Sequence, residues 1–307
     1  MTMTTIVSSD HPAKRSALHR YLLLLWHDKF ATIAVIFLML VAFAALFGPA
    51  LFEGSSNKIN LLARNAPPLS FKYGWTFILG ADSLGRSILL RLLVGAQNTM
   101  LLAASAVLCS LLIGSLLGFI AGYRNDWISA VIMRLADVVM SFPSLLLALI
   151  VLYVLKPGIG NVILVLAITR IPIYLRTTRA EVLEVRERTF VTAARLMGAS
   201  PTRLIWRHIR PTVTPTLITI ATLEFAFVML SESSLSFLGL GIQPPAFTWG
   251  AMVAQGQSYL STAWWVAFWP GLAITLTAMS LNLFANWLRI VGDPVQRWRL
   301  ESRKKSS

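Results

Sequence analysis

Long apolar runs separated by short polar segments dominate the pattern of this 307-residue chain. The first run, residues 30–52, extends over 23 positions without a charged side chain. A helical membrane span needs about 20 predominantly apolar residues, so each run of this kind predicts a transmembrane helix. The pattern predicts six spans, at residues 30–52, 99–121, 127–155, 161–179, 212–231 and 263–287.

The polar segments divide the chain into four parts. We expect an N-terminal segment (1–29), a first span with an external loop (30–98), a five-helix core (99–288) and a basic tail (289–307). Within the core, residues 180–210 are rich in arginine and have helical spacing without an apolar run of membrane length. This segment is therefore predicted to project from the membrane between the fourth and fifth spans.

Composition and charge narrow the class of protein. With 56% hydrophobic and 13% charged residues and a mean hydropathy of +0.69, the chain is neither an ordinary soluble enzyme nor a disordered protein. The net charge of +14 comes from basic residues that lie beside the apolar runs, which favours membrane topology over nucleic-acid binding. Six spans place twenty basic residues on the side of the termini and six on the other. Both termini are therefore predicted to be cytoplasmic.

The segment at 190–200 has the pattern of a helical elbow. Ala193 and Ala194 permit close approach of a partner backbone, and Gly198 tolerates the positive φ of a helix stop. Ser200 followed by Pro201 then predicts an N-cap and the first turn of a second helix. An ordinary helical loop, with alanines present for helix propensity, fits the same spacing.

This segment resembles the coupling motif of ABC-importer permeases, which reads Glu-Ala-Ala, three residues, Gly, about nine residues, then Ile-x-Leu-Pro. Ala193-Ala194 and Gly198 match its first part, and Ile209-Arg210-Pro211 matches its end. Thr192 stands where the family has Glu, and Arg210 where it has Leu. The resemblance implies that an ATPase contacts Thr192, Ala193, Ala194, Arg195 and Gly198.

Three further stretches resemble the second permease subunit of dipeptide, oligopeptide and nickel importers. They are Leu-Gly-Ala-Asp-Ser-Leu-Gly-Arg at 79–86, Phe-Pro-Ser-Leu-Leu-Leu-Ala at 142–148, and Ser-Leu-Ser-Phe-Leu-Gly-Leu-Gly at 234–241 with Gln243-Pro244-Pro245 and Trp249-Gly250. Ala81 replaces a usual Thr, and Asn286-Trp287 replaces a usual Gly-Asp. Together the motifs extend the resemblance from about residue 20 to Pro294.

The resemblance implies an all-α membrane protein with the six transmembrane helices of an ABC type I importer permease, in the bacterial inner membrane. It implies a homologous second permease, two ABC ATPase subunits and an external solute-binding protein as partners. The implied cargo is di- or oligopeptides, with nickel, opines or glutathione as alternatives. The chain contains no Gly-Lys dipeptide and hence no P-loop, so ATP and Mg are expected in the ATPase subunits and no cofactor in this chain.

No catalytic site is predicted. His11, His19, His27 and His208 lie outside the predicted spans, and no pair of them has metal-ligand spacing. The lone Cys109 provides neither a disulfide nor a metal cluster. We therefore expect a non-catalytic permease subunit.

Several polar residues beside or within the spans are candidates for contact and gating roles. In the external loop, Asp82 is predicted to cap a short helix and to pair with Arg86, with Gly80 and Gly85 serving the turn and close packing on the partner. Contact of this loop with the solute-binding protein is the alternative.

The third span carries Arg134 and Asp137, three residues apart on one helical face. This pair forms either an inter-helix clasp near the cytoplasmic end or a gate in the translocation path. Pro143 is expected to kink the span, and Phe142 beside it is either a packing residue or a further gate candidate.

The fifth span carries Glu224 and, just beyond it, Glu232, eight residues apart and so roughly on one face. A carboxylate in hydrocarbon is expensive, so Glu224 either lines the path or pairs with a cation such as Arg170, and Glu232 is a further candidate for the path. Glu224 also keeps open a rival class, a secondary transporter driven by an ion gradient.

Overall fold

The computed structural model describes residues 24–26, 28–124 and 126–292. The predicted segment 1–29 therefore lies largely outside the described residues, as does the basic tail from residue 293 onward. The helices are α1 (Lys29–Ser56), α2 (Ile88–Tyr123), α3 (Trp127–Ser141), α4 (Ser144–Leu155), α5 (Ile159–Val185), α6 (Thr189–Leu196), α7 (Pro201–Leu204), α8 (Arg210–Phe237), α9 (Trp249–Gln257) and α10 (Trp265–Gly292).

The helices long and apolar enough to cross a membrane agree in number and order with the predicted spans. In the described part of the chain there are five: α1, α2, α5, the continuous segment Pro201–Phe237 and α10. The pair α3 and α4 makes a sixth if it is counted as one broken span. The all-helical membrane class is thus confirmed.

The third predicted span, 127–155, is not one helix. α3 and α4 meet at 88°, a sharper break than the predicted kink. Pro143 lacks a backbone N–H and disfavours a helical conformation of the preceding residue. Accordingly Phe142 is extended, with φ −94° and ψ 137°, and a new helix starts after Pro143.

The longest helix, α2, packs closely against α5 through a row of glycines. Gly114, Gly118 and Gly122 recur every fourth residue and so lie on one face. A Cβ at these positions would lie 2.7 Å from Tyr174 Cβ, 2.5 Å from Thr178 Cβ and 2.7 Å from Val182 Cβ, respectively. Small residues at such spacing let helix backbones approach within a membrane. This contact fixes α5, the helix that leads out to the elbow.

We expect Gly118→Leu to weaken this contact. The added side chain would collide with Thr178 and with the carbonyl of Leu175, and overpacking of this kind costs about 1–3 kcal/mol. The thermal unfolding midpoint of the purified protein in mild detergent should fall. Gly54→Leu is the matched control, because a Cβ at Gly54 meets no atom within 4 Å. Equal midpoints for the two variants would contradict the close packing.

Candidate coupling surface and translocation site

The elbow between α5 and α8 has the predicted turn. α6 ends at Leu196, and Gly198 follows with φ +83°, a conformation that favours glycine. The Ser200 hydroxyl then accepts a hydrogen bond from the Arg203 backbone N–H at 3.4 Å, and Pro201 occupies the first turn of α7. A π-helical turn, Ile205–Ile209, joins α7 to α8 without a break. The elbow therefore passes into α8 without a break, whereas a short turn at 186–188 separates α6 from α5.

The structure separates the predicted contact residues of the elbow into two groups. Thr192, Ala193, Arg195 and Gly198 are exposed. Ala194 is only 4% exposed and packs inward with a cluster formed by Val191, Leu204, Ile209 and Val213. Its side chain thus faces the chain's own core, so the small residue serves the folding of the elbow itself.

Two exposed apolar residues at the tip of the elbow were not identified from the sequence. Leu196 and Met197 are 84% and 82% exposed, at the end of α6 and just beyond it. Their exposure follows from the helical period, because Val191 and Ala194 already occupy the inward face. An amphipathicity count over 189–198 would have found them. Side chains of this kind in an otherwise charged segment mark a surface suited to binding another protein.

The elbow is also tied to α2. The Arg186 guanidinium donates a hydrogen bond to the carbonyl oxygen of Gly122, at the end of α2, over 3.1 Å. Arg188 pairs with Glu184 at 2.7 Å on the outer face. The base of the elbow is therefore held by polar contacts, while its tip carries the exposed apolar pair.

Asp82 organises the segment between α1 and α2, although it does not cap a helix as predicted. Its Oδ1 accepts hydrogen bonds from the backbone N–H groups of Leu84 and Arg86, both at 2.9 Å, and closes a tight turn. Its Oδ2 pairs with Arg86 at 2.6 Å and with Arg91 at 3.7 Å. Helix α2 begins after this turn and is capped by Ser87. The predicted pairing of Asp82 with Arg86 is present.

The rest of this motif also packs within the chain. Gly85 has φ +73°, and a Cβ there would lie 1.7 Å from the carbonyl oxygen of Asn60. Arg91, 2% exposed, lies over the ring of Phe247 and donates to Gln255 at 3.3 Å. The external motif thus joins residues near 60, the start of α2 and the segment around α9.

Asp137 makes an inter-helix ion pair, but with a residue that the sequence analysis did not name. Arg176 on α5 donates to its Oδ1, and the predicted ion pair with Arg134 is present as well, with Arg134 Nη1 3.9 Å from Oδ2 on an 85% exposed side chain. The contact joins α3 to α5. Phe142, at the break that follows α3, is 54% exposed. Spacing along one helix pointed to Arg134 and had no means of detecting a partner on another helix.

Glu224 lies beside the cation that was considered for it. Its Oε2 is 3.6 Å from Arg170 Nη1, and the residue is 8% exposed. The Arg170 guanidinium also lies over the ring of Phe227, 3.6 Å from its centroid. A charge within a membrane is stabilised by such pairing. The ion pair joins α5 to α8.

Glu232 is not part of the contact between Arg170, Glu224 and Phe227. It is 1% exposed, and its Oε1 accepts hydrogen bonds from the hydroxyls of Ser236 at 2.6 Å and Thr248 at 2.7 Å. The Thr248 hydroxyl in turn accepts from the backbone N–H of Ala251 and caps α9. Glu232 therefore lies in the packing between α8 and α9. Among the described residues, no three His, Cys, Asp or Glu side chains are grouped as metal ligands.

Comparison with known proteins agrees with this architecture. The family described as "Binding-protein-dependent transport system inner membrane component" matches residues 114–294. The chain is 41% identical to the di/tripeptide transport system permease protein DppC of Pseudomonas aeruginosa, with 87% of this chain and 89% of the relative covered. It is 38% identical to the probable D,D-dipeptide transport system permease protein DdpC of Escherichia coli, covering 88% and 90%.

A third relative has a different named cargo. The glutathione transport system permease protein GsiD of Pectobacterium atrosepticum is 38% identical over 70% of this chain and 72% of its own length. These matches cover the core, the elbow and the external motif together. The chain therefore belongs to the family of binding-protein-dependent transport system inner membrane components, as a multi-pass, DppC-like permease subunit of an ABC importer.

Proposed function

We propose that this chain forms, with a homologous second permease, the pathway by which di- or oligopeptides enter the cytoplasm. An external solute-binding protein delivers the peptide, and two cytoplasmic ABC subunits hydrolyse ATP with Mg. Similarity to di/tripeptide and D,D-dipeptide permeases over 87% and 88% of the chain carries the choice of cargo. This chain itself acts as a non-catalytic subunit.

The elbow supports the coupling part of this proposal. Its exposed surface, Thr192, Ala193, Arg195, Leu196 and Met197, docks on an ATPase subunit. Because the elbow follows α5 after a three-residue turn at 186–188 and passes into α8 through the π-helical turn, movement of a docked ATPase displaces both helices. α5 and α8 are also joined by the pair of Arg170 and Glu224, which places a charged contact between the moving parts.

The orientation follows from the positive-inside rule. Nineteen basic residues, not counting the intramembrane Arg170, lie on the side of the termini and the elbow, against six on the opposite side, so the elbow and both termini are cytoplasmic. The side that carries residues 57–87 is then external. The turn that Asp82 closes buries Asp82 itself but exposes Leu84, which offers a surface there for the solute-binding protein or the second permease.

Cysteine labelling tests this orientation. In a Cys109→Ser background, we expect Leu62→Cys to react with a membrane-impermeant maleimide added to intact cells, and Thr202→Cys to react only after the membrane is opened. Both positions are exposed within the fold, and Thr202 lies outside the proposed docking surface. The reverse labelling would overturn the topology.

Purification of the tagged chain from its native membrane tests the assembly. We expect a second permease and ABC ATPases to co-purify in mild detergent, with vanadate-sensitive ATP hydrolysis. A lone or homodimeric chain without ATPase would instead favour the ion-coupled transporter.

The glutathione permease among the relatives makes glutathione the second candidate cargo, and competition of peptide uptake by glutathione distinguishes the two.

A further inference from the structure

A cavity of about 240 Å³ opens between α4, α5 and α8. Its lining combines apolar side chains with hydroxyl groups and one arginine. The polar members are Ser144, Thr169, Arg170, Ser231 and Ser234. Arg170 is the charged member of this lining, and a charge within a membrane-spanning helix is costly and marks a functional site by default.

Arg170 has unused hydrogen-bonding capacity. In the described part of the chain its guanidinium donates no hydrogen bond, and its Nε is buried without a partner. The contact with Glu224, at 3.6 Å, is an ion pair beyond hydrogen-bond length. A guanidinium carries five N–H donors in a planar fork, which suits a carboxylate. Arg170 is thus held in place by Glu224 and Phe227 but keeps its donors free.

The hydroxyl groups that line the cavity offer acceptors, whereas Arg170 offers donors. Three of them donate their hydrogen to a carbonyl oxygen of their own helix: Thr169 to Leu166 at 2.9 Å, Ser231 to Phe227 at 2.9 Å and Ser234 to Leu230 at 3.0 Å. A hydroxyl that has donated its hydrogen keeps oxygen lone pairs as acceptors. The wall of the cavity therefore offers acceptors along α5 and α8, with donors at one point.

We propose that this cavity is a passage subsite for the main chain of a short zwitterionic peptide, in which Arg170 binds the C-terminal carboxylate and the hydroxyls accept peptide N–H groups. This inference rests on the proposed peptide import. It assigns recognition to groups that every peptide shares, so side chains can vary. A carboxylate that approaches the fork of Arg170 gains charge-assisted hydrogen bonds, which the pair with Glu224 lacks.

The test compares a peptide with and without its carboxylate. The complete transporter is reconstituted in proteoliposomes with its binding protein and ATP on the ATPase side. Uptake of Ala-Ala is divided by uptake of its C-terminal amide, alanyl-alaninamide. Because the binding protein is the same throughout, its own preference cancels when variants are compared by this ratio. We expect Arg170→Gln/Glu224→Gln, which removes both charges, to lower the ratio about tenfold, the effect of one charge-assisted hydrogen bond.

A second variant distinguishes loss of carboxylate recognition from loss of folding. Arg170→Glu/Glu224→Arg keeps an ion pair between α5 and α8 but places a carboxylate where the guanidinium was, so the ratio should fall further. The matched control is Glu184→Arg/Arg188→Glu, which exchanges an exposed pair outside the cavity and should leave the ratio unchanged. An unchanged ratio in either transporting Arg170 variant overturns the subsite. Absence of ATP-driven uptake of Ala-Ala by the unmodified transporter overturns peptide import instead.

Discussion

Replacement of Leu196 and Met197 together by aspartate is expected to release the ATPase subunits and to abolish uptake. These side chains are the most exposed apolar groups of the elbow, at 84% and 82%. Burial of an apolar side chain of this size stabilises a contact by about 1.5–3 kcal/mol, so loss of two weakens docking by at least about a hundredfold. Co-purification of the ATPases and ATP-driven uptake in proteoliposomes measure the effect.

The control for this double variant is Leu62→Asp. Leu62 is 85% exposed but lies in the segment before α2, so its replacement should leave ATPase co-purification intact. Ala194 is unsuited to the same test. Because its side chain packs against the core of the elbow, a bulky replacement would damage the fold as well as the surface. Full ATPase binding by the Leu196→Asp/Met197→Asp variant would disprove docking at the tip.

Glu232→Ala is expected to cause the largest loss of stability among single substitutions at the site. It removes the acceptor of two hydroxyl groups that are themselves buried, those of Ser236 and Thr248. A buried hydroxyl left without its partner costs about 1–3 kcal/mol, so the total for the two is about 2–6 kcal/mol. The cap of α9 depends on the same Thr248 and would loosen. A fall in the thermal midpoint of roughly 5–15 °C should follow.

Glu232→Gln separates the hydrogen bonds from the charge. The amide oxygen can replace Oε1 as the acceptor of both hydroxyls, and its NH2 group takes the place of Oε2, which lacks a partner among the described residues. We expect a thermal midpoint close to that of the unmodified protein and normal uptake. If the glutamine variant lost as much stability as the alanine variant, the charge rather than the hydrogen bonds would hold α8 to α9.

The number, order and approximate bounds of the membrane helices could be predicted from the sequence. A membrane span needs a continuous apolar run of about 20 residues, and other structural elements rarely contain such a run. The elbow was equally accessible, since Gly198, Ser200 and Pro201 each act on the backbone locally. The 88° break after α3 was underestimated as a kink. A proline signals that a helix is interrupted, but packing of the following segment sets the angle.

Contacts between helices were harder to predict. The pairing of Asp137 with Arg176 and the burial of Glu232 depend on which helices are neighbours, and neither spacing nor composition gives that. The inward side chain of Ala194 likewise depends on the core beneath α6. One such contact was readable: Gly114, Gly118 and Gly122 form a small-residue repeat typical of close helix packing. The pattern marks the face, although not the partner helix.

Uptake by proteoliposomes that contain the purified transporter tests the energy source and the cargo together. We expect labelled dipeptide to accumulate only when the binding protein is outside the vesicle and ATP with Mg is on the side of the elbow, and we expect vanadate to stop it. Proton and sodium gradients should have no effect. Accumulation driven by an ion gradient without ATP would contradict an ABC importer and would make Glu224 the first residue to replace.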